Sequence, residues 1–122
     1  MAEKARLFND ELVCQQILDS PDPRLQKKLG RTIRGFRQDV WDANRCGVVQ
    51  RGNRAKFTQN ANLAAELLES GDRCLVETSP LDVILAIGFA ADDPNACDPK
   101  KWRGDNLLGN VLERVREEIR PR

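Results

Sequence analysis

The sequence predicts a mainly α-helical fold with a minimal amount of β-strand, organised as one domain over residues 1–122. Three observations support this fold class. Apolar residues recur at helical spacing along most of the chain, and capping residues separate the helical stretches. Only two short stretches are rich enough in β-branched residues to form strands.

The first third of the chain predicts three helices. A helix over residues 1–8 starts abruptly, without a capping residue, and Asn9-Asp10 then caps a second helix. Ser20-Pro21-Asp22 combines a cap with a proline, which is typical of a helix start. Gly30 ends this third helix.

The rest of the chain predicts two helices, a minimal hairpin and a closing helix. Asp39 is the expected cap of the longest helix, in which Gly52 indicates close packing against another helix or a ligand. The two helices are predicted at residues 40–58 and from Asn60 to Gly71. The two strands of the hairpin are predicted at 75–77 and 83–87, and the closing helix at about 105–120.

The composition excludes several classes of function. A net charge of +1 gives no overall electrostatic footprint for nucleic acid or an anionic membrane. The chain has no histidine, which excludes Ser-His-Asp and Cys-His catalysis, and no tyrosine. Acid–base chemistry therefore falls to carboxylates, lysines or cysteines. The four cysteines form no C-x-x-C pair, which favours reduced thiols over a zinc site. No stretch resembles a signal peptide or a membrane span, so we expect a cytoplasmic protein.

A run of cations without an intervening acid is the first candidate binding feature. Helical neighbours at these spacings can converge on a phosphate or pyrophosphate, with Gly30 and Gly35 permitting close backbone approach. The alternative is a solvated face that is balanced by acids elsewhere. The run consists of Arg24, Lys27, Lys28, Arg31, Arg34 and Arg37.

Trp41 and Asp82 are the other candidates, and each has two interpretations. A tryptophan at a helix start is usually a core residue, but beside a basic loop its ring can stack on a heterocyclic base. Trp102 has the same two interpretations. Asp82 fits an Asx-turn residue, and it also fits a carboxylate that activates water and stabilises an oxocarbenium-like transition state. Spacing alone does not choose it over Glu77, Asp92, Asp93, Asp98 and Asp105.

Several ordered stretches together resemble the NADAR family of YbiA-like N-glycosidases. The resemblance runs over the full chain with nearly regular spacing, which is more specific than any single motif. It is carried by Met1–Phe8, Lys28–Arg31, Val40-Trp41, Gly52–Phe57, Leu75–Glu77, Asp82, Asp98-Pro99, Trp102–Gly104 and Asn106–Gly109.

This resemblance implies a mostly α-helical fold that cleaves an N-glycosidic C–N bond without a metal or organic cofactor. The implied substrates are phosphorylated ribosylamino-pyrimidines of the riboflavin pathway, or ADP-ribosyl conjugates, including ADP-ribose attached to nucleic acid. Trp41 and Asp82 match the family's catalytic positions. The residues expected to bind substrate are Lys4, Arg31, Arg34, Lys56 and Asn106.

The chain departs from the family pattern in two places. The family's catalytic glutamate lies in a Glu-His-Tyr segment upstream of the position that Met1 occupies, so the domain is expected to be N-terminally truncated relative to the family. Leu85-Ala86 also stands where the family commonly has Trp-Gly. These departures keep a second interpretation open: a catalytically inactive NADAR domain that binds an ADP-ribose-like ligand or a protein partner. The oligomeric state is left open.

Overall fold

A computed structural model describes residues 1–121, which form helices joined by turns and irregular loops. Two short 3-10 helices, Pro94–Cys97 and Pro99–Lys101, lie in the long connection that precedes the last α-helix. Every helix in residues 1–121 is too short or too polar to span a bilayer. The α-helices of this part of the chain are α1 (Ala2–Leu7), α2 (Glu11–Asp19), α3 (Pro23–Gly30), α4 (Gln38–Gln59), α5 (Ala61–Glu69) and α6 (Leu107–Ile119).

Local capping chemistry sets the starts of the short helices, as predicted. The Asp10 carboxylate accepts a hydrogen bond from the Val13 amide at the start of α2. Asp22 accepts one from the Arg24 amide at the start of α3, where Pro23 needs no amide partner. Asn60 is the N-cap residue of α5 by position, but its side chain makes no capping hydrogen bond.

The predictions for the start and packing of α4 were wrong in detail. This helix begins at Gln38, so Asp39 lies inside its first turn and does not cap it. The Arg37 carbonyl already accepts a hydrogen bond from the Trp41 amide at 3.0 Å, which explains the earlier start. A methyl group added to Gly52 would meet no atom within 4 Å, so this glycine marks no close packing.

The predicted minimal β-structure is contradicted, since no strand occurs among residues 1–121. The two stretches share one backbone hydrogen bond, from the Ile87 amide to the Glu77 carbonyl, and one bond is not a ladder. The carbonyls of residues 84–86 instead accept hydrogen bonds from amides at the start of α6. Residues 83–87 therefore cap a helix with their backbone, and only Ala86 and Ile87 among them are buried, while Val83 is exposed.

The chain divides into two compact units, residues 1–48 and 49–122. In the first unit, α1, α2 and α3 pack together around a small apolar core. This core contains Ala5, Val13, Cys14, Ile17 and Ile33, and Leu29 of α3 packs against it.

Asp10 joins two parts of the first unit. Its Oδ1 accepts from the Val13 amide at 3.2 Å, and its Oδ2 accepts from the Arg34 amide at 2.8 Å. These two backbone hydrogen bonds, with that to Arg34 the stronger cause, lower the pKa of the Asp10 carboxyl. Asp10 therefore fastens the loop after α3 to the start of α2.

We expect replacement of Asp10 by asparagine to destabilise the protein at pH 7 but much less at pH 3. A carboxyl whose pKa is lowered by folding stabilises the native state above its unfolded pKa of about 3.9. That stabilisation disappears as the pH falls through the folded value. The measurement is the melting temperature of both proteins by circular dichroism across this range. Asp92→Asn, at an exposed position, is the control, and a melting difference independent of pH would contradict the expectation.

In the second unit, α5 and α6 pack against each other over a second apolar core. This core is built on Leu67, Val111 and Val115, with Phe57 and Leu75 partly buried beside it. The loop before α6 has its own buried run over residues 86–89. It is tightly packed, because a methyl group on Gly104 would collide with the Ala86 carbonyl oxygen.

Candidate functional site

Trp41 is held half-buried in the first turn of α4, with cations over its ring. The Lys4 Nζ lies 5.4 Å from the ring centroid, and the Arg45 Cζ lies 5.8 Å from it. Both distances fall within the range of cation–π attraction. Arg45 follows Trp41 by four residues, so the helical repeat brings it back to the same side of α4.

Lys4 reaches this ring from α1 and is anchored to α3. Its Nζ donates a hydrogen bond to the Gly30 carbonyl at 3.1 Å and lies 4.8 Å from the centroid of Phe36. Partial burial lowers the pKa of the Lys4 ammonium, and the positive charges of Arg45 and Arg31 lower it further. A bound anion would relieve this repulsion and raise the pKa of Lys4 again.

We call Lys4, Arg31, Phe36, Trp41 and Arg45 the cation–aromatic cluster. Lys4, Arg31 and Trp41 were predicted from the sequence; Lys4 lies over the Trp41 ring, and the charge of Arg31 acts on Lys4. Phe36 and Arg45 were not predicted. The four-residue spacing from Trp41 was the available signal for Arg45, whereas nothing in the sequence indicated Phe36.

Phe36 supplies a second aromatic surface in the cluster. Its ring centroid lies 5.1 Å from that of Phe8, with the ring planes tilted by 55°. Phe36 is 39% exposed, so part of the ring faces solvent. The cluster thus offers aromatic surface and excess positive charge together, a combination suited to a heterocycle that carries phosphate.

Arg34 lies apart from these contacts. Its amide binds Asp10, and its side chain is exposed in the loop after α3. The substrate-binding role expected of Arg34 stays a prediction. Within residues 1–121, Arg34 contributes to the fold through the hydrogen bond from its backbone amide to Asp10.

Asp82 belongs to the second unit and is half-buried at a turn. Its Oδ1 accepts hydrogen bonds from the Ile84 amide at 2.9 Å and the Leu85 amide at 2.8 Å. This is the Asx-turn geometry that the sequence allowed. Its Oδ2 accepts no hydrogen bond from residues 1–121, so one carboxylate oxygen can face a ligand or a water molecule.

Asn106 is the most constrained of the predicted residues. Its side chain is 2% exposed and its φ is +51°, in the left-handed region. The Asn106 Nδ2 donates to the Leu75 carbonyl and its Oδ1 accepts from the Glu77 amide, both at 2.9 Å. These bonds tie α6 to residues 75–77. The side chain thus has a structural role, and the predicted contact of Asn106 with substrate stays a prediction.

Lys56 and Trp102 have local contacts in the second unit. The exposed Lys56 places its Nζ 5.4 Å from the centroid of its neighbour Phe57, and its binding role stays a prediction. The indole of Trp102 donates to the Ala96 carbonyl at 2.9 Å, which favours the structural interpretation of this residue. Within residues 1–121 no group of three or more metal-binding side chains converges, and the four cysteines are free thiols.

Comparison with known proteins gives one family and several relatives. The NADAR domain matches residues 1–120. An N-glycosidase of Acanthamoeba polyphaga mimivirus is 42% identical over 118 residues, which cover 97% of this chain and 69% of the viral protein. The protein irg-1 of Caenorhabditis elegans is 36% identical, over 98% of this chain and 57% of its own length. A riboflavin biosynthesis protein of Vibrio vulnificus is 30% identical, over 95% of this chain but 29% of its own length.

Proposed function

The chain belongs to the NADAR domain family, and from that membership we propose that it is a cytoplasmic N-glycosidase. Its substrate would be a phosphorylated ribosylamino-pyrimidine of the riboflavin pathway, or an ADP-ribosyl conjugate such as ADP-ribosylated nucleic acid. The names of two relatives, an N-glycosidase and a riboflavin biosynthesis protein, support this choice. We treat residues 1–122 as one functional domain.

The observation that carries the proposal is the crowding of cations around an indole in the cation–aromatic cluster. Lys4 lies 5.4 Å from the Trp41 ring, and its lowered pKa reflects partial burial together with repulsion from Arg45 and Arg31. A phosphate offers the opposite charge, and a planar base offers a surface for the ring. We therefore propose that Trp41 stacks on the base and that Lys4 and Arg31 hold phosphate.

Asp82 would supply the negative charge at the reacting carbon. As the C–N bond breaks, positive charge develops on the sugar ring, and a nearby carboxylate stabilises it. A water oxygen then bonds to the anomeric carbon and gives up a proton, which Asp82 can accept through Oδ2. The bonding pair leaves with the base nitrogen, which takes a proton from solvent, and Asp82 then returns its proton to solvent, so that one water molecule is consumed in all. Water is the nucleophile in this scheme, so the reaction requires no cofactor.

The direct test is release of free base from two substrates. The protein is incubated with the riboflavin-pathway aminopyrimidine riboside phosphate and, separately, with ADP-ribosylated guanosine, and the products are separated by chromatography. Release of either base supports the enzyme. Release of neither base under conditions where the protein is folded would refute an active N-glycosidase.

Truncation of the indole should weaken turnover strongly. We expect Trp41→Ala to lower kcat/KM by tenfold to a hundredfold, because stacking on a base contributes about 1–3 kcal/mol. Trp41→Phe is the matched control, since it keeps an aromatic face. Equal losses in both variants would point to damage to the cluster, and unchanged kinetics in the alanine variant would exclude stacking on Trp41. The melting temperature of each variant separates binding effects from folding effects.

A second candidate function is a NADAR domain that binds an ADP-ribose-like ligand, or a protein partner, without hydrolysis. The favouring observation is that both hydrogen bonds to Asp82 form an ordinary Asx turn, which needs no catalytic explanation. Leu85-Ala86, in place of the family's Trp-Gly, also removes an aromatic wall. Calorimetry that detects ADP-ribose binding, combined with no base release from either substrate, would select this candidate over the enzyme.

A further inference from the structure

Four basic side chains line one side of α3. Successive residues of an α-helix are rotated by about 100°, so positions 24, 27, 28 and 31 fall within about 100° of arc. All four side chains are exposed. We call this row the cationic stripe; its members are Arg24, Lys27, Lys28 and Arg31.

The charges of the cationic stripe are not neutralised by the protein. None of the four residues forms an ion pair within residues 1–121; the nearest pair in sequence joins Arg37 to Asp39 of α4. No aspartate or glutamate occurs in residues 24–37, although the whole chain has a net charge of only +1. The remaining sequence is therefore net negative, and residues 24–37 carry a local excess of positive charge.

The fold does not use the cationic stripe for its own packing. The other side of α3 makes the contacts with the protein: Leu29 packs on the core of the first unit, and the Gln26 side chain donates to the Ser20 carbonyl at 2.6 Å. Four solvent-facing cations repel one another at a small cost in stability. A row of unneutralised cations is suited to binding a polyanion that lies along it.

We propose that the cationic stripe docks the phosphate backbone of a nucleic acid. From Arg24 to Arg31 the helix rises about 10 Å, which matches the three axial steps of about 3.4 Å that separate four successive phosphates of one strand. An anionic membrane fits less well. A helix that lies on a membrane needs an apolar side free for the lipid, whereas Leu29 is engaged in the core and only Leu25 is exposed at its edge.

This inference rests on the nucleic-acid substrate class of the proposed function, but it concerns binding and is measured without turnover. Wild-type protein is titrated into a fluorescent mixed-sequence DNA duplex between about 50 mM and 200 mM salt. The test variant carries Arg24→Gln, Lys27→Gln and Lys28→Gln, which leaves the residues of the cation–aromatic cluster untouched. The control variant carries Lys100→Gln, Lys101→Gln and Arg114→Gln, three exposed positions outside α3 with the same loss of charge.

For four phosphate contacts, the logarithm of the binding constant should fall with the logarithm of salt at a slope of about −3 to −4. Affinity should then fall about a hundredfold over this salt range. The test variant should retain a slope near −1 and bind at least tenfold more weakly in low salt, whereas the control variant should bind as the wild type does. Release of base from the small riboside phosphate should be the same in all three proteins.

Three results would overturn the proposal. The first is no DNA binding by the folded wild type at the lowest salt, which identifies the stripe as a solvated surface. The second is equal loss of binding in both variants, which identifies a net-charge effect. The third is binding to phosphatidylserine vesicles, lost in the test variant, without binding to DNA; this assigns the stripe to membranes. These binding measurements on DNA and on vesicles do not depend on turnover, so a failed glycosidase assay would not change how they are interpreted.

Discussion

Asp82→Asn is expected to abolish most N-glycosidase turnover while leaving the fold intact. The amide oxygen of asparagine can still accept the hydrogen bonds that Oδ1 receives from the amides of Ile84 and Leu85. The negative charge is lost, so neither the developing cation nor the attacking water is assisted. Loss of such a group typically lowers kcat by about 10²- to 10⁴-fold. The measurement is kcat on the riboside phosphate beside the melting temperature.

Two further variants make this result specific to the charge. Asp82→Ala removes both the charge and the turn, so it should lose activity and also melt at a lower temperature than the asparagine variant. Asp105→Asn removes an exposed carboxylate from the same loop region and should keep full activity. Undiminished turnover in Asp82→Asn would reduce Asp82 to an Asx-turn residue and would direct attention to Glu77 and the other carboxylates of the loop.

The helix starts could be predicted from the sequence because their chemistry is local. Asp10 and Asp22 accept hydrogen bonds from amides two or three residues ahead of them, so a short window of sequence contains both partners. The closing helix, predicted at about residues 105–120, was visible because its apolar residues recur at helical spacing. Val111 and Val115 are fully buried, as the helical spacing requires.

The strand predictions failed because the decisive partners are distant in sequence. Residues 83–87 are apolar and β-branched, and a short apolar run does not distinguish a strand from a buried loop. What decides is that amides at residues 105–108 donate to the carbonyls of residues 83–86. These bonds pair the amides at the start of α6 with carbonyls about twenty residues earlier in the sequence. No local sequence pattern predicts such a pairing.

The candidate site shows the same division between local and distant information. The position of Arg45 beside Trp41 follows from the helical repeat and was open to prediction. The approach of Lys4 to the same ring depends on how α1 packs against α3, which is seen in its bond to the Gly30 carbonyl. That Trp41 and Asp82 act on one substrate comes from family resemblance and stays a proposal.

Asn106→Ala is expected to cause the largest loss of stability of any single change considered for this chain. It removes the partners of the Leu75 carbonyl and the Glu77 amide, and leaving these two partly buried backbone groups unsatisfied costs up to about 1–3 kcal/mol each. Alanine at a φ of +51° adds about 1–2 kcal/mol. The sum, about 3–8 kcal/mol, is a large part of the 5–15 kcal/mol by which a domain is typically stable. Urea unfolding followed by circular dichroism measures it.

Two control variants divide this loss into its parts. Asn106→Gly also deletes the side-chain bonds but tolerates the left-handed backbone, so it should recover about 1 kcal/mol relative to alanine. Asn9→Ala introduces alanine at a φ of 57° on the surface, where no such pair of buried bonds is lost, so it should cost only the backbone strain. If Asn106→Ala is no more destabilising than Asn9→Ala, the bonds to Leu75 and Glu77 do not hold the loop. An increase in KM without a change in stability would instead restore Asn106 as a substrate-binding residue.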